Sequence, residues 1–237
     1  HDSKIMAKLP YIADYRGNRE GFFVSNNGFT IQFDYEVSGK QPAFFSVSDR
    51  ALKDLSPDVS KATAIDMKAT IIEADGLKIT DWEDNYLSIK PYEFSRSVAI
   101  SPDKQSFLLG TSWHLRYYDR QGTEKWNVTA PATPWMINIS GDSKVAVIAF
   151  GDGIIRWYRL KDGKNILSLF PHNDRKRWVL WTTSGYYDAS AGAEELIGWH
   201  VNNSPDMASD FFSISRFRNT YYRTDMIEKV LETLDEK

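Results

Sequence analysis

Short apolar stretches alternate with polar turns along most of the chain, and the clearest of them recur in a fixed order. A Ser-Pro-Asp turn at 101–103 precedes an apolar stretch at 107–110, which is followed by an aromatic stretch at 113–118 and a turn at 119–122. Stretches this short, bounded by turn residues, are typical of β-strands joined in hairpins. The pattern therefore predicts an antiparallel sheet over these residues.

The same order returns further along the chain. A Ser-Gly-Asp turn at 140–142 precedes the apolar stretch 145–149, and Asp-Gly pairs at 152–153 and 162–163 bracket an aromatic stretch at 154–158. Asp-Gly pairs supply the positive φ angles that tight hairpin turns require. These residues therefore predict a second sheet built like the first.

Arginine marks the period of this repeat. The motif Arg-aromatic-Tyr stands at 116–118 and again at 156–158, a separation of 40 residues. A period of about 40–45 residues with several short strands is typical of propeller blades. We predict an all-β fold, a β-propeller of four-stranded antiparallel blades, in which residues 95–170 form two successive blades with Arg116 and Arg156 at equivalent positions.

Weaker hairpin patterns extend the repeat in both directions. Residues 22–35 form one around an Asn-Gly turn, residues 69–82 form another, and residues 177–188 form a third. We therefore expect residues 1–190 to hold about four to five blades, some degenerate, in a ring that is incomplete because closed propellers of this blade size use about six to eight. The hairpin at 177–188 comes too early for a full repeat, and we expect it to complete a blade whose other strands come from elsewhere in the chain.

Residues 191–237 are predicted to be a C-terminal closure segment and helix packed on the propeller. Asp225, with Glu228 three residues further on, predicts a capped helix start. The following apolar residues share one helical face, and we expect three of them to dock the helix: Met226, Val230 and Leu234.

Composition narrows the classes of function. The 29 basic and 32 acidic residues give a formal charge of −3 with no basic patch, which argues against a nucleic-acid partner. The absence of cysteine excludes disulfides, thiolate metal sites and a cysteine nucleophile. No apolar run approaches the ~18–20 residues of a membrane span. We expect a cytoplasmic location, and a periplasmic one stays open because a native targeting segment can precede His1.

One part of the chain resembles a known family. The sequence RWVLWTTSGYYDAS at 177–190 continues through EELIGWHVN at 194–202, and DFF at 210–212 and SRFR at 215–218 follow, with Tyr-Arg at 222–223. This arrangement resembles the end of the WD40-type propeller in large bacterial multidomain proteins, some of which join that propeller to a caspase-like peptidase domain. The resemblance covers about residues 95–235, and only its 177–223 stretch is specific.

The resemblance has departures and limits. Thr183, Ala191 and Thr224 stand where that family often has proline, and the Gly-His and Trp-Asp dipeptides of the best-known WD40 repeats are missing. The resemblance implies a protein partner or a neighbouring domain of the same polypeptide, such as a caspase-like one. No functional residue carries over, because the matching segment belongs to a scaffold.

No catalytic or metal site is predicted. Ser184, Ser190, Asp188 and His200 lie close in sequence, but no Gly-x-Ser-x-Gly elbow frames either serine, so turn serines beside a surface histidine are the expected interpretation. The adjacent Glu194 and Glu195 are expected to be a solvated pair, because neighbours on a helix point in different directions. No two histidines are near enough in sequence to form a metal-ligand pair, and no cofactor motif is present: His1, His114, His172 and His200.

The best candidate for recognition is a cluster of arginines and aromatics near the C-terminus. Its members are Arg216, Phe217, Arg218, Tyr221, Tyr222 and Arg223. Arginine and tyrosine are frequent hot-spot residues, although the same residues could instead form an internal seam against the propeller. Trp113 and Trp135, in or near loops, could line a propeller face, but the blade core is their expected location.

These observations favour a non-enzymatic protein-interaction or regulatory scaffold module of a larger bacterial multidomain protein. The alternative is a propeller enzyme with a hydrolase-type site in the central channel, which would need acids, arginines or histidines on the inner strands. The residues assigned to inner strands are instead apolar: Ala99, Ile100, Ala146, Val147 and Ile148.

Overall fold

The computed structural model describes residues 4–5, 12–17, 21–54, 69–72, 76–79, 86–88, 93–201 and 210–236. Its strands are β1 (Lys4–Ile5), β2 (Phe23–Val24), β3 (Thr30–Glu36), β4 (Lys40–Ser46), β5 (Ala51–Lys53), β6 (Ala69–Ile72), β7 (Gly76–Ile79), β8 (Tyr86–Ser88), β9 (Ser95–Ile100), β10 (Ser106–Thr111), β11 (His114–Asp119), β12 (Glu124–Thr129), β13 (Pro134–Ile139), β14 (Val145–Phe150), β15 (Ile155–Arg159), β16 (Lys164–Pro171), β17 (Trp178–Trp181), β18 (Tyr187–Ala189), β19 (Gly198–Val201) and β20 (Asp210–Ser213). The α-helices are α1 (Arg218–Tyr221) and α2 (Thr224–Thr233), and 3-10 turns lie at Ala193–Glu195 and Ile214–Phe217.

The fold is all-β and is built of antiparallel propeller blades, as predicted. The first blade has the strand order β2-β3-β4-β5 and the third blade the order β12-β11-β10-β9. The sheet between them in sequence has three described strands, β6-β7-β8. The fourth blade contains β13-β14-β15-β16, and a separate small sheet has the order β1-β19-β20.

The third and fourth blades repeat one another residue by residue, which confirms the predicted period. Arg116 of β11 pairs with Leu109, the fourth residue of β10, and Arg156 of β15 pairs with Ile148, the fourth residue of β14. The two arginines are therefore equivalent.

The turns that begin the two blades are equivalent as well. Ser101 Oγ donates a hydrogen bond to Asp103 at 2.5 Å, and Ser140 Oγ donates one to Asp142 at 2.6 Å. Each hydroxyl also accepts from the backbone N–H at the start of the next strand, so each turn closes its hairpin.

The last hairpin extends the fourth blade, contrary to expectation. Strand β17 pairs with β16 and β18 pairs with β17, which makes a six-stranded sheet. Leu169 pairs with Ile155 on one side and with Leu180 on the other. The expectation that this hairpin completes a blade from distant strands is wrong, because β16 is long enough for its C-terminal half to pair again.

The fourth blade lies between the first and the third, and this explains why β14 is buried on both faces. Val145, Val147 and Ala149 belong to the core shared with the first blade, whereas Ala146 and Ile148 pack against the third. The first strands of the sheets adjoin each other, with β6 beside β9, β9 beside β13, and β13 beside β2. Ala146, Val147 and Ile148 therefore lie on the second strand of their blade, and their assignment to an inner strand is wrong.

Helix α2 packs on the propeller, but of the three residues predicted to dock it only Val230 is fully buried. Ile227, Val230 and Leu231 are buried in the core that the first and fourth blades share, while Met226 is half-buried and Leu234 packs at its edge. The helix starts at Thr224 with no side-chain cap, so the predicted cap at Asp225 is wrong. The carboxylate of that residue instead binds Arg223, two residues before it.

Candidate interaction surfaces

The arginine–aromatic cluster lies on the 3-10 turn at Ile214–Phe217, on α1 and on the two residues that follow. The fold divides it into an inner and an outer part. Tyr221 and Tyr222 are half-buried, whereas Arg216, Phe217, Arg218 and Arg223 are exposed.

The inner part joins the tail to the fourth-blade sheet and to the small sheet. The Tyr222 ring lies 5.4 Å from that of Tyr187 in β18, edge to face, and the Tyr221 ring lies 5.6 Å from that of Trp199 in β19. The backbone N–H of Arg223 donates to Tyr187 O at 3.0 Å. Edge-to-face aromatic pairs add about 0.5–1.5 kcal/mol beyond their buried area, so this part is structural.

Two of the arginines are also held within the molecule. The Arg218 guanidinium lies 4.1 Å from the centre of the Tyr222 ring and forms an ion pair with Glu194. Arg223 binds Asp225 at 2.6 Å, and its hydrogen bond lowers the pKa of that carboxyl group to about 2.

The outer part is a surface that we call the tail patch and define as Phe212, Arg216 and Phe217. Phe217 is 37% exposed and Phe212 is half-buried, and their rings lie 6.3 Å apart. The Arg216 guanidinium lies 4.7 Å from the centre of the Phe212 ring, and no carboxylate of the described residues pairs with it. The sequence identified Arg216 and Phe217, and strand β20 places Phe212 beside them.

A second surface is a cleft of about 630 Å³ that three parts of the chain enclose. Residues 12–16 form one wall, and their backbone is hydrogen-bonded to the first blade. The β10–β11 turn at 112–113 and the loop 130–133 form the opposite side, and Trp135 with Gly151 completes the lining.

The tryptophans of this cleft correct a prediction. Trp113 is 62% exposed at the tip of the β10–β11 turn, so its expected place in the blade core is wrong. Trp135 is half-buried and packs at the edge of the main core. A Cβ at Gly151 would lie 3.0 Å from the Trp135 indole nitrogen, so glycine allows the ring to lie close to the β14–β15 turn.

The third blade also contains an ionic network centred on Arg116. Arg116 binds Glu93 through two hydrogen bonds of 3.0 and 2.9 Å and binds Glu124 at 2.6 Å. Burial alone would raise the pKa of Glu93, but hydrogen bonds from Arg116 and Thr111 and the charge of Arg116 hold it below its usual value. Arg116 and Glu93 are buried, whereas Glu124 reaches the surface, so the inner pair is a structural contact of the blade.

The residues considered for catalysis make structural contacts. Asp188 is fully buried and binds the Arg50 guanidinium at 2.5 and 2.7 Å. The Ser190 hydroxyl accepts from Trp178 N at 2.9 Å, and the Ser184 backbone N–H donates to Glu236. The side chain of His200 lies outside the described residues.

The part of the chain that the structure describes contains neither a group of metal ligands nor a membrane-spanning helix. Within it, no three His, Cys, Asp or Glu side chains are grouped as metal ligands would be. Within the same residues, no helix has the length and apolar composition needed to cross a membrane.

Comparisons with known proteins add little to this geometry. No protein-family model matches the chain, and no curated protein is significantly similar to it. Among solved structures the chain is similar to the crystal structure of BamB from Moraxella catarrhalis, with a TM-score of 0.34 and 16% sequence identity. The match covers 49% of this chain and 45% of BamB, so the chain spans less than half of that structure's length. At this level of similarity the comparison carries no argument about function.

Proposed function

We propose that this chain is a non-enzymatic interaction module that binds a protein partner or a neighbouring domain of its own polypeptide. The observation that carries the proposal is the tail patch. An exposed aromatic side chain beside an arginine is typical of a binding hot spot, because planar groups lose little entropy when they are ordered. Arg216 is available for such a role, since no described carboxylate pairs with it.

The more specific proposal, that the chain regulates a neighbouring domain, comes from the resemblance of residues 177–223 to WD40-type propellers of bacterial multidomain proteins. It supports a scaffold that regulates an adjacent effector domain, of which a caspase-like peptidase is one candidate. The tail patch lies within the closure segment that such a neighbouring domain would contact.

The proposal is tested by photocrosslinking. A photoreactive phenylalanine analogue replaces Phe217 in the purified chain, which is irradiated in lysate of the native organism. The control carries the analogue at Lys144, which is 65% exposed in a turn of the fourth blade. We expect a discrete product from the first position only.

The captured protein is then purified, and its affinity for variants is measured. Phe217→Ser and Arg216→Ala should each weaken binding at least about tenfold, while Lys144→Ala leaves it unchanged. Equal crosslinking from both positions, or an affinity that neither patch variant alters, would contradict the proposal.

The proposal that the chain is not an enzyme is tested separately. Incubation with broad ester, peptide and glycoside substrates should give only background turnover. Turnover that is abolished by Ser190→Ala or His200→Ala would show that the chain is a hydrolase.

A further inference from the structure

The cleft beside Trp113 is a surface independent of the tail patch. Its walls come from residues 12–16 and from the third and fourth blades, and no described residue of the tail lines it. The turn that carries Trp113 is held in place, because the backbone carbonyl of that residue accepts a hydrogen bond from Ala130 N at 2.8 Å. A large ring that is 62% exposed on such a turn offers a contact for an apolar group.

Arg96 does not line this cleft itself but contacts two residues that do, Trp135 and Ser112. The Arg96 guanidinium lies 5.7 Å from the ring centre of Trp135 and 5.4 Å from that of Phe94, and its Nε donates to Ser112 Oγ at 3.3 Å. Among the described residues, no carboxylate pairs with Arg96.

The other charges at the cleft cancel one another. Arg16 and Asp14 form a bidentate pair, with Nε to Oδ1 at 2.8 Å and Nη2 to Oδ2 at 2.5 Å. Among the described residues, the Arg96 guanidinium is therefore the one at this cleft that no carboxylate neutralises, and two aromatic rings and a hydroxyl orient it. Such a group is prepared to receive a carboxylate.

The lining also indicates which kind of ligand carries that carboxylate. Apart from the ion pair and the two indoles, the polar side chains of the cleft are Ser112, Thr133 and Tyr15, and the Tyr15 hydroxyl already donates to Gly153 O. These are few partners for the many hydroxyls of a sugar. A chain with a net charge of −3 is poorly suited to a polyanion. A peptide fits best, because it supplies an apolar side chain and one acidic group while keeping most of its backbone in water.

We propose that the cleft binds an extended peptide segment of a partner in which an aromatic side chain stands next to an acidic one. The aromatic ring packs between Trp113 and Trp135, and the carboxylate binds Arg96.

The test uses three synthetic ten-residue peptides of Gly and Ser, acetylated and amidated, with different central residues. The first has Asp-Phe-Asp, the second Lys-Phe-Lys and the third Asp-Ala-Asp. Binding is followed by fluorescence anisotropy of labelled peptides, and by fluorine NMR of protein labelled with 5-fluorotryptophan, in which the Trp113 resonance is assigned from Trp113→Phe.

We expect the Asp-Phe-Asp peptide to bind saturably and to shift the Trp113 resonance. Arg96→Ala should weaken this binding at least about fivefold and Trp113→Ala at least about tenfold. Both residues are exposed, so the melting temperatures of these variants should stay at the wild-type value. Phe217→Ser, on the tail patch, is the matched control and should leave peptide affinity unchanged.

Several results would overturn the proposal. These are tighter binding of the Lys-Phe-Lys or Asp-Ala-Asp peptide, the absence of any shift at Trp113, or unchanged affinity in both cleft variants. Self-association in sedimentation that Trp113→Ala abolishes would assign the cleft to a second copy of this chain. None of these results bears on the tail patch, whose test measures crosslinking from Phe217.

Discussion

One arginine connects parts of the chain that are far apart in sequence, and its removal should measure how the tail is fastened. Arg50 stands in the turn between β4 and β5 with φ 53° and reaches Asp188 in β18, 138 residues away. Its Nη2 also donates to the Tyr222 hydroxyl at 3.1 Å. One guanidinium therefore joins the first blade, the extended fourth-blade sheet and the tail.

The loss of unfolding free energy expected for Arg50→Ala follows from the difference in burial between Arg50 and Asp188. The Asp188 side chain is fully buried, whereas that of Arg50 is 37% exposed. Removing one partner of a fully buried ion pair costs about 3–5 kcal/mol, because the other charge stays buried and unpaired. Water can enter the space that Arg50 leaves, and Ala189 N still donates to Asp188 at 2.8 Å. We therefore expect Arg50→Ala to lower the free energy of unfolding by about 2–3 kcal/mol.

The measurement is urea and thermal unfolding of the purified chain. For a protein of this size, 1 kcal/mol corresponds to about 2–4 °C, so the melting temperature should fall by roughly 4–12 °C. The matched control is Arg16→Ala, which breaks a pair whose side chains are 58% and 37% exposed. An exposed pair contributes about 0–1 kcal/mol.

A double-mutant cycle isolates the interaction itself. Asp188→Ala and the double variant should give a coupling free energy with Arg50→Ala well above the ~0.5 kcal/mol seen for independent sites. A cost for Arg50→Ala no larger than that for Arg16→Ala would refute the reasoning, as would additive single changes.

Three further predictions concern packing and pH. Gly153→Ala should destabilise the chain by more than Gly192→Ala, although both glycines have positive φ, because only at position 153 would an added Cβ meet Ile12, at 2.5 Å. Melting curves of the two variants that coincide would contradict this. Val230→Asp should lower the melting temperature of the whole chain in one cooperative transition, since this side chain is buried in the shared core, and an unchanged main transition would make α2 an independent arm. The pKa of Glu93 is lowered in the folded state, so its stabilisation is complete above about pH 5 and is lost as the pH falls through the folded-state pKa. The unfolding free energies of wild type and Glu93→Gln should therefore converge with falling pH, and a constant difference would refute this sign.

The features that could be predicted from sequence are those that nearby residues determine. Each Ser-x-Asp turn closes through the hydroxyl of its own serine, so the turns at 101–103 and 140–142 specify their hairpins wherever they lie. The period of the repeat then follows from counting the residues between equivalent motifs, and the prediction that Arg116 and Arg156 lie on equivalent strands is therefore confirmed.

The features that could not be predicted depend on which distant segment covers a residue. Trp113 was expected in a blade core because aromatic residues usually fill one, but its position on the turn leaves it against the open cleft. The partner of Asp188 is Arg50, and no local pattern links two residues in different blades. The six-stranded sheet depends likewise on the second pairing of β16, for which its sequence gives no separate signal.

The arginines of this chain fall into two groups according to their surroundings: some stabilise the fold, and others are available to bind a partner. Arg50 and Arg116 bind buried carboxylates, and neutral replacements there should lower stability. Arg96 and Arg216 stack on aromatic rings at the surface, and no described carboxylate pairs with either. A solvent-exposed cation–π contact contributes only about 0.5–1 kcal/mol, so alanine at these two positions should leave unfolding nearly unchanged and reduce binding instead. Each of the two surfaces therefore contains an arginine that contributes little to stability, and this supports a role for both in binding.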